Sequence, residues 1–309
     1  METTSSKFTK TGPLLIILAA FLWSLDGFLR QSLYSLPSTL IVFLEHVLGF
    51  IVTLPFLIKL WPNLKKITKT DWFSVLWVAF LGGVLGTVFF TKALGLVGYI
   101  DLSVVILLQK LQPIFAITLA IIILKEKPSH RYWWYVIVAL IGGYLVTFKN
   151  FLPNLSHDSA TLFAALLAIG AAFAWGSSTV FGRKALNNID FKLLTSIRFG
   201  LTSIILIPVL FLLNTASNIS QINSQQWGAL IAIVFSTGLV AVFIYYAGLR
   251  STRASIATIC EMFWPVSAIF LDFFINRVIL SPSQILGAIL LLYAIYKISR
   301  NQNIVKAEA

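Results

Sequence analysis

The stretch "TICEMFWPVSAIFLDFFINR", residues 258–277, decides the fold because it repeats an earlier stretch, "ILLQKLQPIFAITLAIIILK", residues 106–125. The two stretches match apolar residue to apolar residue around a central proline. Four pairs of landmark residues keep the same spacing of 152 positions along the chain: Trp23 and Trp175, His46 and Arg198, Gln109 and Glu261, and Pro113 and Pro265. Recurrence at one fixed spacing predicts two related halves.

The composition places both halves in a membrane. Hydrophobic residues make up 58% of the 309 residues, charged residues only 11%, and the mean hydropathy is +0.90. Apolar runs of about 20 residues match the thickness of a bilayer core, and their continuity excludes the alternating pattern of a barrel strand. The sequence predicts an all-α integral membrane protein with ten transmembrane helices, at about 13–33, 38–59, 72–91, 99–124, 132–148, 161–182, 191–213, 226–247, 253–275 and 283–299.

Five helices in each half give the architecture its symmetry. Because five is odd, the second half enters the membrane from the opposite side, which predicts an inverted repeat of residues 1–150 and 151–309. Such repeats commonly enclose a site near the midplane and rock around it in alternating access. A duplicated membrane scaffold without transport is the other interpretation.

The basic residues predict the orientation. The net charge is +12, but the 23 Lys and Arg residues lie mostly in short connections between apolar spans, which indicates membrane orientation rather than nucleic-acid binding. With a cytoplasmic N-terminus, only four of them fall outside: Arg30, Lys92, Lys149 and Arg277. Both termini are therefore expected in the cytoplasm, with the protein in the inner (cytoplasmic) membrane.

Ionisable residues within the predicted spans are candidates for function, because each is costly at membrane depth unless paired or hydrated. Lys110 and Glu261 lie near the middle of helices four and nine, at adjacent positions of the repeat, so we expect them to approach each other or a shared cavity. They are either a buried ion pair or ligands for a substrate or proton. The full set is Asp26, Glu45, His46, Lys110, Arg198, Glu261 and Asp272.

Aromatic residues share helix faces with these groups. On helix nine, steps of three, four, seven and eleven residues place Glu261, Trp264, Pro265, Ala268 and Asp272 on one face. Arg30 is expected to anchor helix one, and Tyr245 and Tyr246 are read as packing residues. The predicted substrate-binding residues are Trp23, Asp26, Glu45, His46, Gln109, Lys110, Trp175, Arg198, Glu261 and Trp264.

Other classes of protein fit less well. The sequence has no H-E-x-x-H or G-x-S-x-G motif and only three histidines, so neither an enzyme, a metal site nor a cofactor is expected. A channel would require equivalent carbonyls or charges around a pore, whereas the two halves carry unlike residues. The single cysteine, Cys260, is predicted to be a buried packing residue.

The chain resembles the drug/metabolite transporter superfamily of the EamA type. The resemblance rests on ten helices in a 5+5 repeat, an early Trp in each half, "SIRFGL" in the second half, and a central Pro followed by "LKEK" at the end of helix four. It covers residues 12–300 and implies an inner-membrane carrier, often an exporter, with a cavity between the halves. The chain differs from the family pattern in His46, where an Arg is usual, and in "NRVILS", which lacks the acid of "LKEKPS".

These observations predict a secondary transporter, and specifically an exporter, of a small polar metabolite. The cations Lys110 and Arg198 would suit a carboxylate and the acids an amine, so an amino acid or related zwitterion is expected. The alternative is an exporter of organic cations that bind Trp faces by cation–π contact. The expected partners are the small-molecule substrate, the lipid bilayer and protons.

The predicted orientation is tested by cysteine labelling. In a Cys260→Ser background, we expect a cysteine placed within residues 214–225 to react with an impermeant maleimide in intact cells, because this connection is predicted to be external. A cysteine within residues 60–70 is expected to react only after the membrane is opened. The reverse pattern would contradict the orientation assigned from the charges.

Overall fold

The computed structural model describes residue 9, residues 11–96, residue 105 and residues 108–148, 159–277 and 279–307. Eight helices in these ranges are long and apolar enough to cross a membrane. This confirms the all-α membrane class. The number ten stays a prediction, because the start of the predicted helix 99–124 lies outside the described residues, as does the predicted boundary between residues 150 and 151.

The first half consists of helical segments that are often interrupted. Their bounds are α1 Thr11–Ser24, α2 Asp26–Arg30, α3 Ser38–Leu60, α4 Lys69–Trp77, a π-helical segment Val78–Gly86, α5 Thr87–Leu96, α6 Gln112–Ile123 and α7 His130–Thr147. Short 3₁₀ turns occupy Gln31–Leu33 and Trp61–Lys66, and a short strand, β1 Glu126–Pro128, connects α6 to α7.

The second half follows the same order. Its helices are α8 Ser159–Ala185, α9 Phe191–Leu212, α10 Ser224–Val234, α11 Leu239–Leu249, α12 Ala254–Glu261, α13 Phe263–Asn276 and α14 Pro282–Arg300. Short 3₁₀ turns occupy Ala216–Gln221 and Gln302–Ile304. The second of these turns leads directly into a short strand, β2 Val305–Ala307. Strand β2 pairs antiparallel with β1, with Pro128 opposite Val305.

Equivalent helices of the two halves pack against each other and run antiparallel. In the α3–α9 pair, Ser196 Oγ donates to Thr53 O at 3.2 Å, and the Thr39 and Thr215 hydroxyls lie 3.4 Å apart. Thr39 lies at the start of α3, whereas Thr215 follows the end of α9. In the α7–α14 pair, Gln284 Nε2 donates to Val146 O at 3.3 Å, so the start of α14 meets the end of α7. The predicted inverted repeat is therefore confirmed.

The helices are interrupted at matching positions of the two halves. The π-helical segment Val78–Gly86 corresponds, at the spacing of 152, to the region before α11, where Gly238 N donates to Ile233 O at 2.7 Å. Pro113 and Pro265 each lie in the first turn of the helix that follows a break, at Leu111 and Met262. Proline at such a position has no N–H to leave unpaired. Interrupted helices at membrane depth are tolerated only where protein or a cavity lies beside them.

Glu126 of β1 connects the two halves. Its carboxylate accepts from the backbone N–H groups of Ala254 and Ser255 at 2.8 and 3.0 Å, and from the Ser255 hydroxyl at 2.5 Å. A carboxylate stabilises a helix N-terminus because it satisfies N–H groups that have no partner within the helix. The acid of "LKEK" thus caps α12, a helix of the other half.

Glycines allow α7 and α14 to approach closely. A Cβ atom on Gly142 would lie 2.8 Å from Leu291 N and 2.9 Å from Gly287 O of the facing helix. Gly287 is equally confined, since its Cβ atom would lie 2.7 Å from Val146 N. Because backbone atoms cannot move aside as side chains do, this contact requires glycine on both helices.

The glycine contact predicts a stability difference between two substitutions. We expect Gly142→Ala to lower the free energy of unfolding by about 1–3 kcal/mol, because the added methyl group must separate α7 from α14. The matched control is Gly228→Ala in α10, where an added Cβ meets nothing within 4 Å, so no loss is expected. Thermal unfolding midpoints in detergent measure both. Equal midpoints for the two variants would contradict the packing described.

Candidate functional site

The two halves enclose a cavity of about 460 Å³. It is lined by residues from both halves, and all ten residues predicted to bind substrate contribute to its wall: Trp23, Asp26, Glu45, His46, Gln109, Lys110, Trp175, Arg198, Glu261 and Trp264. The structure thus brings the predicted set together in one place. Their role in binding a substrate stays a prediction.

The cavity occupies one side of the molecule. Its lining runs from Glu261 and Lys110 to Tyr34, Leu94 and Asn276, which lie at or beyond helix ends on the side predicted to be external. The opposite side is filled by buried apolar side chains, among them Ile16, Val75, Tyr132, Phe181, Leu249 and Ile256. With the predicted orientation, the cavity faces outwards.

An ion-pair network forms one wall. Arg30 Nε contacts Asp26, and the two terminal nitrogens of Arg30 lie 2.7 and 3.1 Å from the two carboxylate oxygens of Glu45. The Thr237 hydroxyl also donates to Asp26 at 2.6 Å. Arg30 is only 6% exposed, so the prediction that it merely anchors helix one is wrong. The spacing of four residues between Asp26 and Arg30 indicated this ion pair in the sequence. The contact between Arg30 and Glu45 left no signal in the sequence.

Lys110 and Glu261 do not pair with each other. Lys110 Nζ lies 3.9 Å from the centroid of the Trp264 ring, in a cation–π contact. Glu261 accepts from Gln112 Nε2 at 2.5 Å, from the Tyr245 hydroxyl at 2.7 Å and from the Thr179 hydroxyl at 3.3 Å. Among the described residues, neither group has an oppositely charged partner within 4.0 Å. The two groups share the cavity, as expected, but the ion pair is absent.

The reason lies in helix geometry. Gln109, not Lys110, aligns with Glu261, and one residue turns the side chain by about 100° around a helix. Gln109 Nε2 donates to Gln112 Oε1 at 2.7 Å, which directs the Gln112 amide N–H groups towards Glu261. Neutral amide and hydroxyl donors thus satisfy the carboxylate, and Lys110 turns to the Trp264 face.

Arg198 is the second cation of the cavity without an acidic partner in the described part of the chain. Its Nη1 donates to the Tyr246 hydroxyl at 2.8 Å, while its Nε, although buried, has no hydrogen-bond acceptor. Tyr245 donates to Glu261 and Tyr246 accepts from Arg198, so the interpretation of both tyrosines as packing residues was incomplete. Two adjacent phenols near the end of an apolar span were the signal, because a buried tyrosine hydroxyl usually has a partner.

His46 has a more structural position. Its Nδ1 lies 2.8 Å from Val42 O, so this nitrogen carries the proton and donates, and the ring packs 4.8 Å from the centroid of Phe199. The imidazole is 5% exposed.

At the other end of the cavity, Asp272 accepts from Asn276 Nδ2 at 2.6 Å. Within the described residues, no three His, Cys, Asp or Glu side chains are grouped to hold a metal ion.

Three indole rings form aromatic walls, and the helix breaks help to hold them. Trp175 Nε1 donates at 3.2 Å to Gly82 O in the π-helical segment, and Trp264 Nε1 donates at 3.0 Å to Trp23 O, two residues before the break at Leu25. Phe90 packs 5.1 Å from Trp175 and 6.4 Å from Trp264 between ring centroids. With the N–H groups of Trp175 and Trp264 satisfied by backbone carbonyls, these two rings offer apolar faces to a flat ligand.

Comparisons with known proteins agree with this architecture. Residues 10–148 and 162–300 each match the EamA-like transporter family, so the matches repeat the offset of 152. The chain is 40% identical over 291 residues to a protein of Fusobacterium nucleatum named riboflavin transporter ImpX, covering 94% of this chain and 97% of that protein. It is 28% identical over 188 residues to an uncharacterized transporter of Bacillus subtilis, YwfM, covering 60% of each.

A crystal structure shares the fold, with a TM-score of 0.70 at 16% identity over 92% of this chain and 95% of that chain. The relatives are named as transporters, which agrees with the interpretation that the chain is not an enzyme. The expectation of an amino acid substrate is not supported, because the similar protein with a named substrate is a riboflavin transporter. The chain is a membrane protein of the EamA-like transporter family.

Proposed function

We propose that this protein transports riboflavin across the membrane by alternating access around the cavity between its halves. The observation that carries the proposal is the 40% identity, over nearly the full length of both chains, with the riboflavin transporter of Fusobacterium nucleatum. The matched region covers 94% of this chain and 97% of that protein.

The shape and lining of the cavity support a flavin. Its volume of about 460 Å³ lies within the range of roughly 300–1,000 Å³ typical of pockets for drug-sized ligands. Riboflavin is a flat, electron-poor tricyclic ring with a hydroxylated chain. The electron-rich faces of Trp23, Trp175 and Trp264 suit the ring, which would stack against them in the offset geometry that aromatic groups prefer.

The polar groups suit the edges of the same molecule. The pyrimidine end of the flavin ring carries two carbonyl oxygens, and Arg198 has an Nε donor without an acceptor among the described residues. An uncharged ligand that supplies a carbonyl oxygen would satisfy this buried N–H, which is costly when unpaired. The ribityl hydroxyls would meet the acceptors and donors of the cavity mouth, such as Asp272 and Asn276.

The organic-cation alternative is less well supported by the geometry. A delocalised cation would use the tryptophan faces, but Lys110 already covers one face of Trp264 at 3.9 Å. A second cation at this face would meet like-charge repulsion in a poorly hydrated site. A neutral aromatic ring meets no such repulsion, because it carries no net charge.

Alternating access is supported by the one-sided cavity and the matched helix breaks. The halves are inverted copies, so exchanging their conformations would close the present cavity and open the filled side. The breaks at Leu111 and Met262 lie beside the cavity, where a change of backbone angles needs the fewest contacts to be remade.

Glu261 is the residue that we propose to carry a coupling proton. Its neighbours are the neutral groups of Gln112 on α6, Tyr245 on α11 and Thr179 on α8, with Cys260 preceding it on α12. Protonating this carboxylate strands no buried cation, whereas protonating Asp26 or Glu45 would remove a partner of Arg30.

Riboflavin binding is tested by the quenching of flavin fluorescence on stacking. We expect wild-type protein in detergent to quench riboflavin saturably and Trp264→Leu to weaken binding by about 5- to 150-fold, the equivalent of about 1–3 kcal/mol for a stacked heterocycle. The matched control is Trp134→Leu, since Trp134 on α7 is 62% exposed and outside the cavity lining.

Uptake and counterflow of labelled riboflavin in proteoliposomes then establish transport and its direction, including the export that the family resemblance implies. Absence of both quenching and flux for riboflavin would contradict the proposed substrate. Equal binding by Trp264→Leu and Trp134→Leu would contradict the proposed stacking site.

The proton assignment is tested separately. We expect Glu261→Gln to bind riboflavin and to exchange it across the membrane, but to lose accumulation driven by an imposed pH gradient, because the amide cannot take up a proton. Asp190→Asn is the control, because Asp190 is exposed outside the cavity lining and asparagine can make the same N-cap at the start of α9, so gradient-driven uptake should stay intact. Gradient-driven uptake by Glu261→Gln at the wild-type rate would contradict the assignment.

A further inference from the structure

A second, smaller cavity lies between the start of α7 and the end of α14. Its volume is about 310 Å³, and it is lined by three cations, Arg131, Lys297 and Arg300, together with the two tyrosines Tyr135 and Tyr296 and the tail residue Ile304. It is separate from the cavity between the halves, since the two share no lining residue.

The charge of this cavity is unbalanced. No Asp or Glu within the described residues forms an ion pair with any of the three cations. Arg300 Nη1 donates instead to the Tyr296 hydroxyl at 2.6 Å, and Lys297 Nζ lies 5.5 Å from the centroid of the Tyr293 ring. Three cations converging on one concave surface favour an anion with several oxygen acceptors.

The cavity lies at the depth of lipid headgroups. Along α14, the exposed side chains Leu286, Ile289 and Leu292 are followed by the exposed Tyr293 and Tyr296, and then by Lys297 and Arg300. Apolar residues, then tyrosines, then cations is the order that a helix shows as it leaves the hydrocarbon core for the interface. This end of α14 is on the side that the basic residues predict to be cytoplasmic.

We propose that this cavity binds the headgroup of an anionic phospholipid. The three cations would contact the phosphate, the tyrosines would lie beside the glycerol region, and the acyl chains would run along the apolar face of α14. Basic cavities between transmembrane helices are suited to such headgroups. Because Ile304 lines the cavity and the next residue, Val305, pairs with Pro128, a bound lipid would also hold the C-terminal tail against β1.

Native mass spectrometry and thermal unfolding with added lipid test the proposal. We expect phosphatidylglycerol, but not phosphatidylcholine, to bind wild-type protein and raise its unfolding midpoint. The triple variant Arg131→Gln, Lys297→Gln, Arg300→Gln should bind phosphatidylglycerol about a hundredfold more weakly, at about fivefold for each cation near the membrane surface.

The matched control replaces three exposed lysines on the same predicted face that do not line the cavity: Lys59→Gln, Lys65→Gln and Lys66→Gln. This control should keep wild-type affinity. Equal weakening by both triple variants would show a general charge effect and overturn the proposal. Inorganic phosphate that reproduces the stabilisation at the same concentration would overturn the assignment to a lipid.

Hydrogen exchange on wild-type protein makes the test independent of how the variants fold. We expect phosphatidylglycerol to protect backbone amides around Arg131–Tyr135 and Tyr296–Ile304 relative to phosphatidylcholine. Protection confined to other parts of the chain would contradict the site.

Discussion

The hydrocarbon interior of a membrane supplies no hydrogen-bond partners, and the rest of this structure depends on how that constraint is met. Several polar groups at depth are satisfied by protein: Glu261 by amide and hydroxyl donors, Arg30 by two carboxylates, and the Trp264 indole by a backbone carbonyl. In the cavity this satisfaction is incomplete, since the Nε of Arg198 has no hydrogen-bond acceptor among the residues that the structure describes. A ligand is therefore most useful at the place where the protein leaves its own groups unsatisfied.

The two halves meet the same constraint with different residues. Their helices are related by inversion, yet the first half contributes the cations Arg30 and Lys110, and the second contributes Arg198 and Glu261. The symmetry is thus visible in the backbone, which has matched breaks at Leu111 and Met262, and it is absent from the chemistry of the lining. A carrier that works by the proposed alternating access needs a symmetric backbone to exchange conformations. It needs an asymmetric lining to recognise an asymmetric molecule.

Much of this fold could be predicted from the sequence, because the fold depends on signals that extend over many residues and are easy to recognise. Hydropathy, an odd helix number and the spacing of 152 residues were sufficient for the membrane class and the inverted repeat, and the ten predicted residues all reach one cavity. The Arg30–Glu45 contact, the hydrogen bonds of Tyr245 and the separation of Lys110 from Glu261 were not predictable. They depend on rotations of single side chains about helices whose breaks at Leu25, Leu111 and Met262 leave no pattern in hydropathy.

Glu126 stabilises the contact between the two halves on one side of the molecule. Its carboxylate joins β1 to the first turn of α12 on the filled side of the molecule, where the other conformation would have to open. The position related to Glu126 by the repeat is Val278, an uncharged residue. In the proposed alternating access, opening of the filled side would have to break the three hydrogen bonds that Glu126 accepts from Ala254 and Ser255. The two conformations of the proposed cycle would then differ in free energy, even though the scaffold is duplicated.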